Sequence, residues 1–282
     1  MKKTKLFVSS LLIGAACVAL TACGGKKESD ENDTAKSKDS DSKTISIAIS
    51  SDIVPSIERV EEPLKKLGYE LDVHEFDDWV MPNTALAEGS VDCNFFEHEP
   101  YMEAYNQSKG TDLVMITPKI YSTPYGFFSD KYESLDEIGD GAKVAMSNEP
   151  SNRSRSLMLL QEAGLLVLTD EPKDEYYDEV DIEENPHNLS FVKADSNSLY
   201  SMISEVDLVI EPCDLVNNAG GDATDTLYRE EDTKYAMGIA VRKGNENEAS
   251  IQALNEAFHS DEFREAIEKD YPGVYQFVDE DE

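Results

Sequence analysis

The chain has 282 residues, with 25 Lys and Arg against 59 Asp and Glu, a formal net charge of −34 and a sequence pI near 4.3. That length allows one large domain or two ordinary ones. An apolar fraction of 40% supplies a core but not a polytopic membrane protein, aromatics at 9% argue against a disordered acidic chain, and the charge excludes general nucleic-acid binding because a phosphate backbone would be repelled.

Lys2, Lys3 and Lys5 form a basic head before an apolar stretch from Leu6 to Leu20. The stretch is shorter than the ~20 residues that span a bilayer, and residues 1–22 read as an export signal. It ends in Leu20-Thr21-Ala22-Cys23-Gly24, which resembles a bacterial lipobox. Cleavage there would leave Cys23 as an acylated N-terminus, anchored to the membrane without a transmembrane helix. Residues 24–43 hold no apolar side chain larger than Ala, so residues 23–43 read as a lipidated Cys and a flexible tether. The acidic tail Asp279–Glu282 reads as a second frayed end.

From Thr44 the pattern changes. Thr44–Ser50 alternates at period two and predicts a strand, followed by a helix from Pro55 to Leu67 that Gly68 closes and Pro63 threatens to kink. Tyr69–Phe76 alternates again. Pro82–Glu88 predicts a short helix, Val91–Phe95 a strand, Pro100–Lys109 a helix and Asp112–Ile116 a strand. Strands are then expected at Gly126–Ser129 and Lys143–Met146, and a helix at Arg155–Ala163 closed by Gly164. Asp170–Asn185 is acidic and aperiodic, a surface excursion with room for one helical turn. Strands at Leu189–Val192, Asp207–Ile210 and Tyr235–Arg242 and a helix over Ser250–Lys269 complete the series. This βαβα rhythm predicts an α/β fold of two lobes with largely parallel sheets.

Enzyme motifs are absent: there is no GxxxxGK[ST], GxGxxG, GxSxG or HExxH. His74, His98, His187 and His259 are scattered. Glu97-His98-Glu99 is the most ligand-like triplet, but adjacent side chains point different ways, so neither a metal nor another cofactor is expected. With Cys17 in the signal and Cys23 at the lipid site, Cys93 and Cys213 remain, either as a disulfide or, the favoured reading, as two buried thiols. Cys93, Cys213, His98 and Glu211 are the only candidates for a cleft nucleophile or base, and none has a partner at motif spacing.

Phe76-Asp77-Asp78-Trp79-Val80-Met81-Pro82-Asn83, then Leu86, then Val91-Asp92-Cys93-Asn94-Phe95-Phe96-Glu97-His98-Glu99-Pro100-Tyr101-Met102 resembles the methionine-binding (NlpA-type) lipoprotein family. A second block, Asn148-Glu149-Pro150-Ser151-Asn152-Arg153-Ser154-Arg155-Ser156-Leu157-Met158-Leu159-Leu160, is similar to another word of that family. The likeness runs from Thr44 to about Tyr275. It implies a two-lobed periplasmic-binding-protein fold of type II-like form, with residues 44–124 and 237–282 in one lobe, residues 125–236 in the other, and an amino-acid cleft between them. It further implies partners, an ABC permease and its ATPase, that carry the membrane spans and nucleotide loop this chain lacks.

The resemblance carries ligand contacts to Asn152 and Arg155 for the ligand's polar end and to Trp79, Phe96, His98 and Tyr101 for its side chain. The chemistry agrees: a guanidinium grips a carboxylate with two parallel charge-assisted bonds, and aromatic walls suit a thioether. Several features depart from the family, among them Trp79 where Tyr is usual, Glu97 where Gln is usual and the word Ala194-Asp195-Ser196-Asn197-Ser198-Leu199-Tyr200. Val209-Ile210-Glu211-Pro212-Cys213-Asp214-Leu215 lacks the Asn of the family's V-I-N word, and Glu211 or Pro212 takes its place according to a one-residue choice of alignment. The first strand also ends in Ser50-Ser51 where relatives carry a Gly-rich turn. A cleft-facing Glu211 could accept an ammonium, or select a cationic ligand or short peptide. Methionine or an analogue is the expected ligand; a dipeptide, a basic amino acid, another small metabolite, and a surface lipoprotein that no longer transports stay open.

Overall fold

Alternation of buried Ile45, Ile47 and Ile49 with smaller residues makes β1 (Thr44–Ser50) the first strand of the computed structural model, which describes residues 43–278. The expected export signal, the lipidated Cys23, the tether up to residue 42 and the acidic tail lie outside the described residues. A 3₁₀ turn at Ser51–Ile53 leads into α1 (Val54–Lys66), which keeps Pro63 inside the helix and ends before Gly68 at φ 89°. Then follow β2 (Glu70–Phe76), α2 (Met81–Ala87), β3 (Cys93–Asn94), α3 (Glu99–Lys109), β4 (Leu113–Met115) and β5 (Tyr121–Ser122). The middle of the chain forms β6 (Tyr125–Phe128), β7 (Lys143–Ser147), α4 (Pro150–Glu162), β8 (Val167–Leu168), β9 (Ile182–Glu184) and β10 (Ser190–Ala194). It continues with α5 (Ser196–Leu199), β11 (Leu208–Pro212), α6 (Cys213–Asn218) and β12 (Tyr228–Arg229). The last stretch is β13 (Ala240–Arg242), α7 (Ala249–Phe258), α8 (Asp261–Asp270) and β14 (Gln276–Phe277).

These strands build two five-stranded sheets, ordered β2-β1-β3-β13-β4 and β10-β7-β11-β6-β12, and two small two-stranded ones. In the first sheet β1 pairs in parallel with β2 and β3, and the late-returning β13 runs antiparallel to β3 and β4. In the second, β10, β7 and β11 are parallel while β6 is antiparallel to β11 and β12. Each sheet has its own core. Ile47, Phe95, Ile239, Leu254 and Phe258 cluster on the first; Val144, Leu157, Leu160 and Ile210 cover one face of the second, and Phe128, Val209 and Val216 the other. The two-lobed α/β architecture expected from the rhythm of the sequence is the one observed.

Several elements differ from expectation for identifiable reasons. The strand at Val91–Phe95 is regular only at Cys93–Asn94, although Asp92 N still donates to the Ser46 carbonyl at 2.9 Å and Phe95 N to the Ala48 carbonyl at 3.1 Å; the Asp92 carboxylate also accepts from Ser46 N at 2.8 Å and Ser46 Oγ at 2.6 Å. The expected strand Tyr235–Arg242 is paired in a sheet only at Ala240–Arg242; its first half leaves the sheet, where Met237 bridges to His98 and Tyr121. The helix expected over Ser250–Lys269 is two helices, since Ser260 Oγ accepts from Phe263 N at 3.2 Å and starts α8. Helix α4 begins at Pro150, not Arg155, capped by the Glu149 carboxylate, which accepts from Ser151 N and Asn152 N. The excursion at 170–185 contains one 3₁₀ turn, Glu179–Asp181, and β9.

Candidate functional site

In open α/β sheets, ligands sit beyond the carboxyl ends of the strands, where chain turns into helix. Here the end of β1 carries Asp52, the end of β3 carries Phe96, Glu97 and His98, the end of β7 leads into α4 with Asn152 and Arg155, and the end of β11 carries Pro212 and Asp214. All of them line one cavity, together with Trp79, Tyr101, Thr123, Tyr125, Leu215 and Met237.

Six residues grouped by sequence, Trp79, Phe96, His98, Tyr101, Asn152 and Arg155, are brought together on this cavity. The aromatics make edge contacts: Tyr101 stands 5.9 Å from Phe96 and 6.3 Å from Trp79, ring centroid to ring centroid. The Tyr101 hydroxyl donates to the Trp79 carbonyl at 3.0 Å, and Trp79 Nε1 donates to Asp52 Oδ1 at 3.2 Å. His98 caps α3, its Nδ1 accepting from Tyr101 N at 3.2 Å, and its Nε2 faces Asn152 Oδ1 at 2.9 Å. That pattern requires the neutral ring protonated at Nε2. Burial, and then the Arg155 charge, push the imidazole down to about 3.

Arg155 does not present an unopposed cation. It is 1% exposed, and its Nε donates to Glu230 Oε1 at 2.9 Å and to Oε2 at 3.1 Å; Nη2 donates to Glu230 Oε2 and, at 3.1 Å, to the Thr123 carbonyl. The guanidinium is sandwiched between the rings of Tyr125 and Tyr235, 4.1 and 4.3 Å from their centroids. Its two-pronged grip, expected for a ligand carboxylate, is thus spent on Glu230, and Nη1 takes no part in those bonds. Burial lowers the guanidinium's proton affinity, but Glu230 outweighs it and the pKa rises.

Glu211 departs from the expectation. Strand alternation sends Glu211 and Pro212 to opposite sides of β11, so Pro212 lines the cavity and Glu211 does not. Glu211 instead lines an adjoining groove with Ser51, Asn197 and Tyr200, and the groove shares Asp52 and Leu215 with the central cavity. Burial raises its carboxyl to about 9.

Sequence reading missed Asp52, Tyr125, Asp214, Glu230, Tyr235 and Met237. Asp52 and Asp214 had a visible mark, an acid two residues past the end of an apolar strand, beside or inside words that depart from the family. Asp214 is 4% exposed, and burial, then the neighbouring Asp52, raise its pKa to about 7. Asp52 is also raised by burial. Burial lifts Glu97 to about 8, although Asn83 Nδ2 donates to its Oε2 at 2.7 Å. The Glu97-His98-Glu99 triplet is dispersed onto Asn83, Asn152 and Lys119 respectively. Cys93 and Cys213 are buried free thiols.

A family model described as NlpA lipoprotein matches residues 45–277. The chain is 33% identical over 285 residues to the methionine-binding lipoprotein MetQ of Bacillus subtilis, covering 98% of this chain and 99% of that protein. Among solved structures it resembles a nutrient-binding protein from Burkholderia cenocepacia bound to methionine, with 30% identity, a TM-score of 0.78, and coverage of 83% of this chain and 100% of that one. It is similar in the same measure, 30% identical with a TM-score of 0.78 over 83% and 100% of the two chains, to an ABC transporter periplasmic substrate-binding protein from Coxiella burnetii.

Proposed function

Since the chain belongs to the NlpA lipoprotein family, we propose that it captures an amino acid of about methionine's length in the interlobe cavity and delivers it to an ABC permease and its ATPase. The observation that carries this reading is the cavity itself: aromatic walls from the first sheet's loops face Asn152 and Arg155 at the start of α4. Trp79, Phe96 and Tyr101 would hold the side chain, and Arg155 Nη1 with Asn152 would meet the carboxylate. An amino acid bound this way touches both lobes only when they are closed, and that difference in contact drives closure. Residues 44–124 with 237–282 as one lobe and 125–236 as the other belong to this proposal. It is supported by the chain entering the second sheet at β6 and returning through Met237.

The lipobox-like segment supports an acylated Cys23 and a protein tethered to the outer face of a bacterial cell membrane by residues 24–43. The relatives' binding role, and the absence of any recognised catalytic motif, favour a carrier over an enzyme.

A thermal-shift screen of the full chain against the common amino acids and dipeptides tests the reading. At about a hundredfold excess over Kd a ligand adds about 2.7 kcal/mol. For a chain of this size that raises Tm by about 5–10 °C. A flat response to every compound in the screen would overturn the assignment.

A further inference from the structure

A chain this acidic covers its surface in carboxylates, so an exposed acidic rim decides nothing about a ligand. Buried carboxylates are different, because an ionised carboxylate leaves water only at high cost unless a cation meets it. The central cavity is lined by Asp52, Glu97 and Asp214, and the one basic residue among its walls, Arg155, is already matched by Glu230. Neither Asp52 nor Asp214 belongs to an ion pair among the described residues, although Asp214 is 4% exposed. The adjoining groove adds Glu211 and no basic residue, and a third opening past Trp79 likewise has only acids among its charged walls.

Two further atoms point the same way independently of that count. Glu97 Oε1 and Glu211 Oε2 have no hydrogen-bond partner among the described residues, and their side chains line the central cavity and the groove while 3% and 1% exposed. Buried polar atoms are almost always partnered, so these two mark places where something else supplies the contact. A neutral zwitterion would use one carboxylate for its ammonium and leave a second facing it unanswered. Burial raises the proton affinities of both Glu97 and Asp214, and the neighbouring Asp52 adds to the rise at Asp214.

We propose that the captured amino acid carries a second positive charge, its α-carboxylate turned to Arg155 and Asn152 and its cationic end held by Asp52 and Asp214 beside the Trp79 ring. This rests on the amino-acid reading above and narrows it. Trp79 adds to the selection, since an aromatic face attracts ammonium and sulfonium groups alike, and its Nε1 bond to Asp52 holds ring and carboxylate together.

Calorimetry on the full chain with two matched pairs tests the proposal. Lysine differs from norleucine by its ammonium, and S-methylmethionine from methionine by one methyl and a positive charge. The cationic member of at least one pair is expected to bind at least about tenfold more tightly than its neutral partner. Asp214→Asn and Asp52→Asn are each expected to cut that ratio below about threefold. Asn keeps the Oδ1 that accepts from Leu215 N at 3.0 Å, and circular dichroism checks that each variant folds. Equal or tighter binding of the neutral member in both pairs overturns the charge proposal and leaves amino-acid capture standing, as does a ratio that survives both substitutions. Silence from all four compounds and from every amino acid in the thermal screen overturns both.

Discussion

Replacing Glu230 with Gln isolates the buried pair at the centre of the site. Glu230 and Arg155 side chains are each 2% exposed, and the carboxylate takes Nε at 2.9 and 3.1 Å, Nη2, and Tyr125 N at 3.1 Å. Gln keeps the shape and one acceptor but removes the charge, so the guanidinium is left buried and uncompensated. Removing one partner of such a pair costs about 3–5 kcal/mol. Stacking between Tyr125 and Tyr235 is present in both proteins and cancels, so the net loss stays at about 3–5 kcal/mol. For a chain of this size Tm should fall by on the order of 10 °C. Arg155→Met should cost a similar amount by orphaning Glu230, which is why Arg155→Ala alone would confuse lost binding with lost stability. The double variant carries neither charge and should be destabilised by clearly less than the two single losses together, with a coupling of about 2 kcal/mol or more. Urea denaturation of the four proteins, followed by circular dichroism, measures all three quantities. A Glu230→Gln cost below about 1 kcal/mol, or strict additivity in the double variant, would refute the argument. Affinity should move the opposite way to stability: a zwitterion whose carboxylate reaches Nη1 replaces the missing negative charge and should bind Glu230→Gln more tightly than wild type.

Two further predictions concern pH and packing. Glu97 has a folded-state pKa of about 8, above its unfolded value, so its contribution to stability is full at acid pH and is lost as pH rises through about 8. Glu97→Gln should therefore flatten the pH dependence of unfolding between about 4.5 and 8, by up to about 1.4 kcal/mol per pH unit; an unchanged profile counts against a buried carboxylic acid there. His98 contributes the opposite slope, its stabilisation lost as pH falls from 6.5 towards about 3. In β6, a Cβ on Gly126 would stand 2.6 Å from Phe128 Cζ and 2.8 Å from Thr226 Cγ2, in a strand paired on both sides. Gly126→Ala should lose about 1–3 kcal/mol, and a loss within about 0.5 kcal/mol would show that the neighbours give way freely.

Local chemistry made much of the fold readable. Gly68 and Gly164 both take positive φ just past the helices they were expected to close, and the period-two runs at β1 and β2 pair over their full length. Legibility failed where a long-range partner decided the outcome. Nothing near Tyr235 announces that Met237 bridges to His98 and Tyr121, or that Arg155 finds its counter-charge 75 positions later. Some misses were readable: Glu149-Pro150 is a cap followed by a first-turn proline, and Ser260 is a cap before an acidic first turn. The choice between Glu211 and Pro212 is instructive. The acidity of Glu211 drew attention, but the two-residue period of β11 assigns the cavity to Pro212, and the acid that matters there is Asp214, two residues further on in α6.

The residues that set the family's word pattern and the residues that set this cavity's charge are largely different sets. The first set, including Asn152, Arg155, His98 and Tyr101, is where the family pattern puts it and lines the cavity. The second set is Asp52, Glu97 and Asp214: Asp52 and Asp214 stand just past the carboxyl ends of β1 and β11, at stretches that depart from the pattern, and Glu97 stands where the family usually has Gln. Specificity is a difference between affinities, so acids added around a retained aromatic wall need not strengthen binding of methionine at all; they need only penalise ligands that leave them unpaired. Overall net charge cannot supply this discrimination, because surface carboxylates are screened within about 10 Å at ordinary ionic strength whereas Asp214, buried and facing the cavity, is not. The preference for a cation should accordingly persist at high salt, and a tenfold ratio that collapses between about 0.05 and 0.5 M NaCl would assign it to the acidic surface instead.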